Sequence, residues 1–497
     1  MFGERFRVTR TIAKPGAIRR TLARVARHAL LPALLATSAL VAPIDAVAQE
    51  SASSTNPARG AAVARTEGPP NVIVILADDV GVEAFRLYGG SIATPNLERL
   101  ANEGVTFDSA FATPLCSPSR TRLMTARENA KNYEAFGFLS PGEKTFGNLF
   151  SDAGYATSII GKWQLSGNGF DDRVGISPEG AGFKESLLWQ LKSGPSRGSR
   201  YWGPTLWANG QPKLHEEGFG PDLANQAAID FIETNKAKPF FLYYPMVLVH
   251  DPFVGVPGKL DAEGEQAKFR GMMQYMDDLV GKLLDRVDAL GLRERTLIVF
   301  TADNGTNQRI YSIRNGQQVS GGKGLPTLTG THVPMVMSWP GHMPAGVRRS
   351  GLTDFADVLP TIADAAQLPV SWQIDGVSQL PVARGERPAA REAIYQHYAP
   401  TWVFKPVGFA FDRDRKLYSD GRYVALNLEH DVETPIDTTR LSSDEQRRYR
   451  KLKAIVDADK RPFDPVRFPW CKGRKPTKEG GDPTVVGCGM KPFDIGE

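Results

Sequence analysis

The feature that most constrains the fold is a repeated pattern of apolar run and polar tip. Four short apolar runs each lead, directly or within a few residues, to a polar side chain beside glycine or proline. Val72-Ile73-Val74-Ile75-Leu76 runs into Ala77-Asp78-Asp79-Val80-Gly81, and Gly154-Tyr155-Ala156-Thr157-Ser158-Ile159-Ile160 into Gly161-Lys162-Trp163-Gln164. Phe240-Phe241-Leu242-Tyr243-Tyr244 leads to Val249-His250-Asp251-Pro252, and Thr296-Leu297-Ile298-Val299-Phe300 to Ala302-Asp303-Asn304-Gly305. Continuous apolar runs of this length mark strands covered on both faces, as in parallel sheets packed between helices. Apolar residues at three- and four-residue spacing predict helices over 222–236 and 273–290. A further helix is predicted from Thr94-Pro95, with threonine as cap and proline in the first turn. Ligands of open α/β sheets bind beyond the carboxyl ends of the parallel strands. Asp78, Asp79, Lys162, His250, Asp303 and Asn304 are therefore predicted to converge on one cleft, although any one alone would read as a solvated loop residue.

The chain of 497 residues is long enough for one large domain and a smaller one. Its formal charge of +5 is a local effect. Met1–Ala48 holds eight basic and two acidic residues, a net of +6, which leaves −1 for the remainder. Overall charge thus gives no support to nucleic-acid binding. Residues 1–48 read as a secretion signal: a basic start, the apolar run from Ala29 to Val41, then the small residues Ala46-Val47-Ala48 before Gln49. Arg19-Arg20 is compatible with twin-arginine export. Residues 49–70, rich in Ser, Ala, Pro and Gly, are predicted to be a disordered linker. No later stretch is apolar enough to cross a bilayer. The expected product is periplasmic or secreted, with no stable membrane anchor once the signal is removed.

From about Glu386 the texture changes to short strands with turns around 393–398, 408–411, 415–418 and 422–426, followed by a charged helix from Ser442 to Val456. That order predicts a small antiparallel sheet with one helix, a second subdomain over 386–497. A loop-rich insertion between Phe183 and Gly220 carries Trp189, Tyr201, Trp202 and Trp207, expected to pack a lid rather than to line a substrate mouth. His332 and His397 are expected to be packed or solvated. Of three cysteines, Cys471 and Cys488 form the simplest disulfide in an oxidising compartment, two idle thiols being the alternative, and Cys116 stands apart.

Cys116 opens Cys116-Ser117-Pro118-Ser119-Arg120, which continues to Met124-Thr125-Ala126-Arg127. This resembles the signature of the formylglycine-dependent (type I) sulfatases, arylsulfatase-like enzymes whose cysteine is oxidised to an aldehyde, with alanine here in place of a usual glycine. In family order, Asp78-Asp79 and Asp303-Asn304 resemble its calcium pairs, Gly161-Lys162-Trp163 its Gly-Lys-Trp, and Val249-His250-Asp251-Pro252 its Pro-His-x-Pro. Gly321-Gly322-Lys323-Gly324 with Thr331-His332-Val333-Pro334 and Trp339-Pro340-Gly341 resembles its second-lysine region. The resemblance implies an α/β, alkaline-phosphatase-like sandwich. Its large, mostly parallel central sheet would be flanked by helices in a catalytic domain over 71–385.

What the resemblance implies for chemistry is hydrolysis of sulfate esters, releasing sulfate and an alcohol or phenol. Calcium would be held by Asp78, Asp79, Asp303 and Asn304 together with the formylglycine derived from Cys116, since calcium takes hard oxygen ligands. Arg120 would hold the aldehyde hydrate, Lys162 and Lys323 the sulfate oxygens, and His250, with Lys323, would protonate the leaving oxygen. The partners implied are a sulfated small molecule or carbohydrate and a formylglycine-generating maturation enzyme. One departure stands out: the family's Gly-Lys-Trp-His ends here in Gln164, which can orient by hydrogen bonds but cannot carry a proton at neutral pH. Two other classes stay open at this level: a phosphonate or phosphodiester hydrolase of the same superfamily, and a catalytically impaired glycan-binding relative.

Overall fold

The computed structural model describes residues 68–167, 173–192, 198–399 and 407–458. The segment expected to be a secretion signal, all but the last three residues of the expected linker, and Cys471 and Cys488 lie outside the described residues.

The central element is an eleven-stranded mixed sheet. Its middle is five adjacent parallel strands in the order Thr296–Ala302, Asn71–Ala77, Phe240–Pro245, Ala156–Gly161 and Glu185–Leu188. The four apolar runs are four neighbours in this block, so their polar tips emerge side by side. Every residue of Asn71–Ala77 is buried, as a strand covered on both faces requires. Beyond Thr296–Ala302 the strand His332–Ser338 runs antiparallel, pairing also with Val105–Phe111. Sequence pattern did not reveal these two strands. Pro334 interrupts the first, and the ladder shifts register between Val333 and Met335, as befits a residue with no N–H to donate. At the other edge, Thr205–Ala208 and Gln211–Leu214 form a hairpin inside the segment expected to be loop-rich.

Helices cover the sheet. Gly264–Ala289, longer at its start than its apolar spacing indicated, packs on both Pro95–Asn102 and Gly220–Asn235. The start of Pro95–Asn102 corrects one expectation: Thr94 makes no side-chain cap. Asp277, from the neighbouring long helix, accepts instead from the backbone N–H groups of Asn96 (3.0 Å) and Leu97 (2.9 Å). A carboxylate at a helix start satisfies otherwise unpaired donors and meets the positive end of the helix dipole. Asp277→Ala is expected to lower the unfolding free energy by about 2 kcal/mol. The reading is a lower urea midpoint at unchanged slope, and an unmoved midpoint would assign the capping elsewhere.

The C-terminal sheet is antiparallel throughout, in the order Ile394–Tyr398, Val407–Phe411, Arg415–Tyr418, Tyr423–Asn427 and Val432–Pro435. The helix Ser443–Ala458 covers one face through Leu452 and Val456. The other face, with Phe409, Phe411 and Tyr418, packs on Phe111, Leu115 and Leu328. It thereby abuts the segment that leads into Cys116. Three hydrogen bonds fasten the contact: Gln396 Nε2 to the Ala112 carbonyl, Tyr398 Oη to that of Gly324 (2.9 Å each), and Arg122 Nη2 to that of Tyr395 (2.9 Å). Among the described residues, no helix is long and apolar enough to cross a membrane.

Candidate active site

The helix Cys116–Thr125 is buried along its whole length although six of its ten side chains are polar. Several of these polar groups are answered by distant segments. Arg122 lies in a bidentate pair with Asp354 (Nε 2.6 Å), and Ser119 Oγ donates to the Thr113 carbonyl (3.0 Å). Ala126 closes the helix in the left-handed conformation (φ 56°), where glycine is favoured and alanine costs about 1 kcal/mol. Its carbonyl then accepts from the N–H groups of Asp375 (2.8 Å) and Gly376 (3.1 Å). Cys116 at the start of this helix is 3% exposed.

The strand tips supply the rest. Arg120 reaches Asp303 Oδ2 with Nε (3.1 Å) and Nη2 (2.9 Å), and the Lys162 carbonyl with Nη1 (3.1 Å). Lys162 Nζ lies 2.9 and 2.8 Å from the two carboxylate oxygens of Asp78. Gly161 makes this approach possible: at φ 124° its backbone lies so close to the Pro245 carbonyl that a Cβ would stand 1.9 Å from the oxygen. Lys323 Nζ donates to Asp79 Oδ2 (2.6 Å) and lies 3.0 Å from His250 Nε2. His250 Nδ1 is 2.6 Å from the Asp251 carbonyl oxygen, which can only accept, so Nδ1 carries the proton and Nε2 the lone pair facing Lys323. Gln164 (φ 56°) is turned toward the insertion, its Nε2 donating to Gln190 Oε1 (2.5 Å).

The structure thus brings Cys116, Arg120, Lys162, His250, Lys323, Asp78, Asp79, Asp303 and Asn304 to one end of the sheet. Burial raises the Cys116 thiol, and the charges that act on it next are those of Lys162, Asp303, Asp78 and Lys323. Burial pushes Asp303 up to about 7, reinforced by the Asp78 charge. Asp79 rises for the same reason, against the pull of Lys323. Asp78 feels the same burial, but Lys162, Arg120 and Arg200 together hold it below the ordinary carboxylate range. Burial, then Arg200, Lys323 and Lys162, hold His250 neutral, well below its ordinary range.

Three buried carboxylates crowd together, each already paired with one basic side chain. Asp78, Asp79 and His250 present ligand atoms within 4.8 Å of one another. Asn304 donates from Nδ2 to Asp79 Oδ1 and to the Gly305 carbonyl (2.9 Å each), which leaves its Oδ1 buried without a hydrogen-bond partner. Carboxylate oxygens plus an orphaned amide oxygen are the donor set of a hard divalent cation.

Sequence pattern missed Arg200, which lies 3.8 Å from Asp78 Oδ2 and stacks over Trp189 (4.3 Å to the ring centroid). Nothing in Ser199-Arg200-Tyr201 marks it, because it enters the site only through the fold of the insertion. It also missed the partners of Asp251, which binds Arg309 (3.2 Å) besides His250. Trp189 and Tyr201 are buried as packing residues, and Tyr201 Oη donates to the Val247 carbonyl (3.0 Å) and to that of His250. His332 is packed, between Asp431 Oδ1 (2.6 Å) and the Asp108 carbonyl (2.9 Å).

Comparison with known proteins assigns the chain to a family. Residues 70–368 match the family model described as Sulfatase. The chain is 31% identical to human (Homo sapiens) arylsulfatase A, the match covering 68% of this chain and 72% of the relative. It is 30% identical to the N-acetylgalactosamine-6-sulfatase of Canis lupus familiaris, covering 68% of this chain and 70% of the relative. Among solved structures, Ps i-CgsB in complex with a neocarrahexaose superposes with a TM-score of 0.67 at 24% identity, covering 79% of this chain and 93% of that one. With the fold, the clustered charges and these relatives in agreement, the chain belongs to the sulfatase family, enzymes that hydrolyse sulfuric esters.

Proposed function

We propose that the chain hydrolyses sulfate esters, sugar or aryl, at the site around residue 116, with Cys116 in its formylglycine form and calcium held by Asp78, Asp79, Asp303 and Asn304. The observation that carries this reading is the placing of a buried Cys116 at a helix start, within the fields of Lys162, Lys323, Asp78 and Asp303. A formylglycine at position 116 would, once hydrated, supply two hydroxyls on one carbon for the transfer and release of sulfate. Calcium held by Asp78, Asp79, Asp303 and Asn304 would supply positive charge to the site.

The chain's own residues do the rest. Arg120, tied to Asp303 and to the Lys162 carbonyl, holds the side chain of residue 116 in place. The first turn of its helix turns unpaired N–H groups toward the anion. Lys162 and Lys323 offset the charge that spreads over the sulfate oxygens as the ester bond breaks. The leaving oxygen takes its proton from the Lys323–His250 pair. Lys323 holds that proton in the resting site, since burial is outweighed by Asp79 and its affinity is raised, while His250 Nε2 is the acceptor beside it. Gln164 orients by hydrogen bonding and does not shuttle protons.

The decisive experiment assays protein from its native host on a sulfated-glycan panel beside a chromogenic aryl sulfate and the matched phosphate and phosphonate esters. It also determines the mass of the peptide containing Cys116. Sulfate esters should be turned over fastest and the peptide should carry an aldehyde. Faster phosphonate or phosphodiester cleavage, or sulfate-ester turnover by an unmodified thiol, would overturn the reading. Chelation provides an independent measure. Removing calcium should abolish turnover and lower the melting temperature, and calcium at a hundred times its dissociation constant should restore about 2.7 kcal/mol of stability. Stability and activity indifferent to chelation would remove the metal from the account.

A further inference from the structure

We infer that Arg200, with Gln190 Nε2 as a second unpartnered donor, contacts the sulfate group of the substrate on the Gln164 side of the site. This rests on the sulfate-ester reading of the site. The argument is one of charge partners. Arg120 is matched to Asp303, Lys162 to Asp78 and Lys323 to Asp79. Arg200 has no carboxylate of its own: its nearest, Asp78 Oδ2, is 3.8 Å away and already accepts from Lys162 at 2.8 Å.

The Arg200 side chain is 3% exposed, and its Nη1 is buried without a hydrogen-bond partner. Gln190 is in the same condition: its Oε1 is taken by Gln164, and its Nε2 is buried and unpartnered. A buried guanidinium with unmet donors is costly unless an acceptor arrives, and its planar fork suits the oxygens of a tetrahedral anion.

Both donors are held rigidly. Arg200 stacks on Trp189, the residue before Gln190. The next residue, Tyr201, is anchored by its hydroxyl to the Val247 and His250 carbonyls, the latter belonging to the histidine of the site. Gly220 admits this segment, since a Cβ there would stand 2.3 Å from the Arg200 carbonyl oxygen. The donors are therefore fixed in advance on the side where glutamine stands, and bound sulfate would supply the acceptors they lack.

The test uses the mature, calcium-loaded protein and compares wild type with Arg200→Gln and Arg200→Lys on the best sulfate ester. Readouts are KM, kcat, the inhibition constant for inorganic sulfate, calcium affinity and melting temperature. Arg200→Gln should raise KM and the sulfate inhibition constant about tenfold or more, with calcium binding not weakened and the melting temperature unchanged. Arg200→Lys should recover part of the loss, keeping charge but not the fork. Unchanged sulfate inhibition in both variants would overturn the inference while leaving the sulfatase reading standing. So would losses that follow a lowered melting temperature or weakened calcium binding, which would make Arg200 a prop for Trp189 or Asp78. A wild-type protein that neither cleaves sulfate esters nor is inhibited by sulfate would overturn both.

Discussion

Cys116→Ala is expected to reduce sulfate-ester hydrolysis by at least about 10⁴-fold, while the unfolding transition stays where it is. Alanine fits the space the thiol occupies, and the helix Cys116–Thr125 is held by Arg122–Asp354 and Ser119–Thr113, neither of which the change touches. Binding should outlast catalysis. Lys162, Lys323 and Arg120 remain, so inorganic sulfate should still protect the variant against heat. Cys116→Ser separates the two halves of the chemistry. A single hydroxyl can take a sulfate group once but has no second hydroxyl to drive its release, so at most one equivalent of alcohol should appear, without steady turnover. Full activity in Cys116→Ala, measured on purified protein, would remove residue 116 from the mechanism.

Lys323→Ala should cost about 10³-fold in kcat on sulfate esters of sugars, whose leaving oxygen must be protonated. Esters of acidic phenols, which leave as anions, should lose far less. The prediction follows from the tautomer of His250. With its Nδ1 proton committed to the Asp251 carbonyl, the ring offers only a lone pair at Nε2, and Lys323 is the adjacent group that carries a proton. A series of aryl sulfates makes the measurement. The slope of log kcat/KM against the pKa of the phenol should steepen in Lys323→Ala and in His250→Ala. An equal loss across the series would mean that Lys323 only binds sulfate and protonates nothing.

The parallel block was legible because it is buried on both faces. The run Val72-Ile73-Val74-Ile75-Leu76 is apolar throughout and fully buried, so the strand and its acidic tip could be read without any partner in view. What escaped was set by contacts between distant segments. Thr94 looked like a cap, yet the helix it precedes is capped by Asp277, 181 residues from Asn96. The helix after Cys116 could be expected, but not the partner of its buried charge, Asp354, 232 residues beyond Arg122. The strand His332–Ser338 hid behind Pro334. In the site, residues standing directly on strand tips could be named in advance. Arg200 could not, since it arrives through a hairpin-bearing insertion whose folding no local pattern encodes.

The clasp between the C-terminal sheet and the Cys116 helix sets an order of events during biosynthesis. Tyr395, Gln396 and Tyr398 are among the last quarter of the chain to leave the ribosome, yet they bond Arg122, Ala112 and Gly324 on either side of the reactive pocket. Contacts between such remote segments form late in folding. A nascent chain halted before residue 394 would carry every acid and lysine placed at the site and still lack the surface that seats its helix, so competence arrives only once translation is nearly complete.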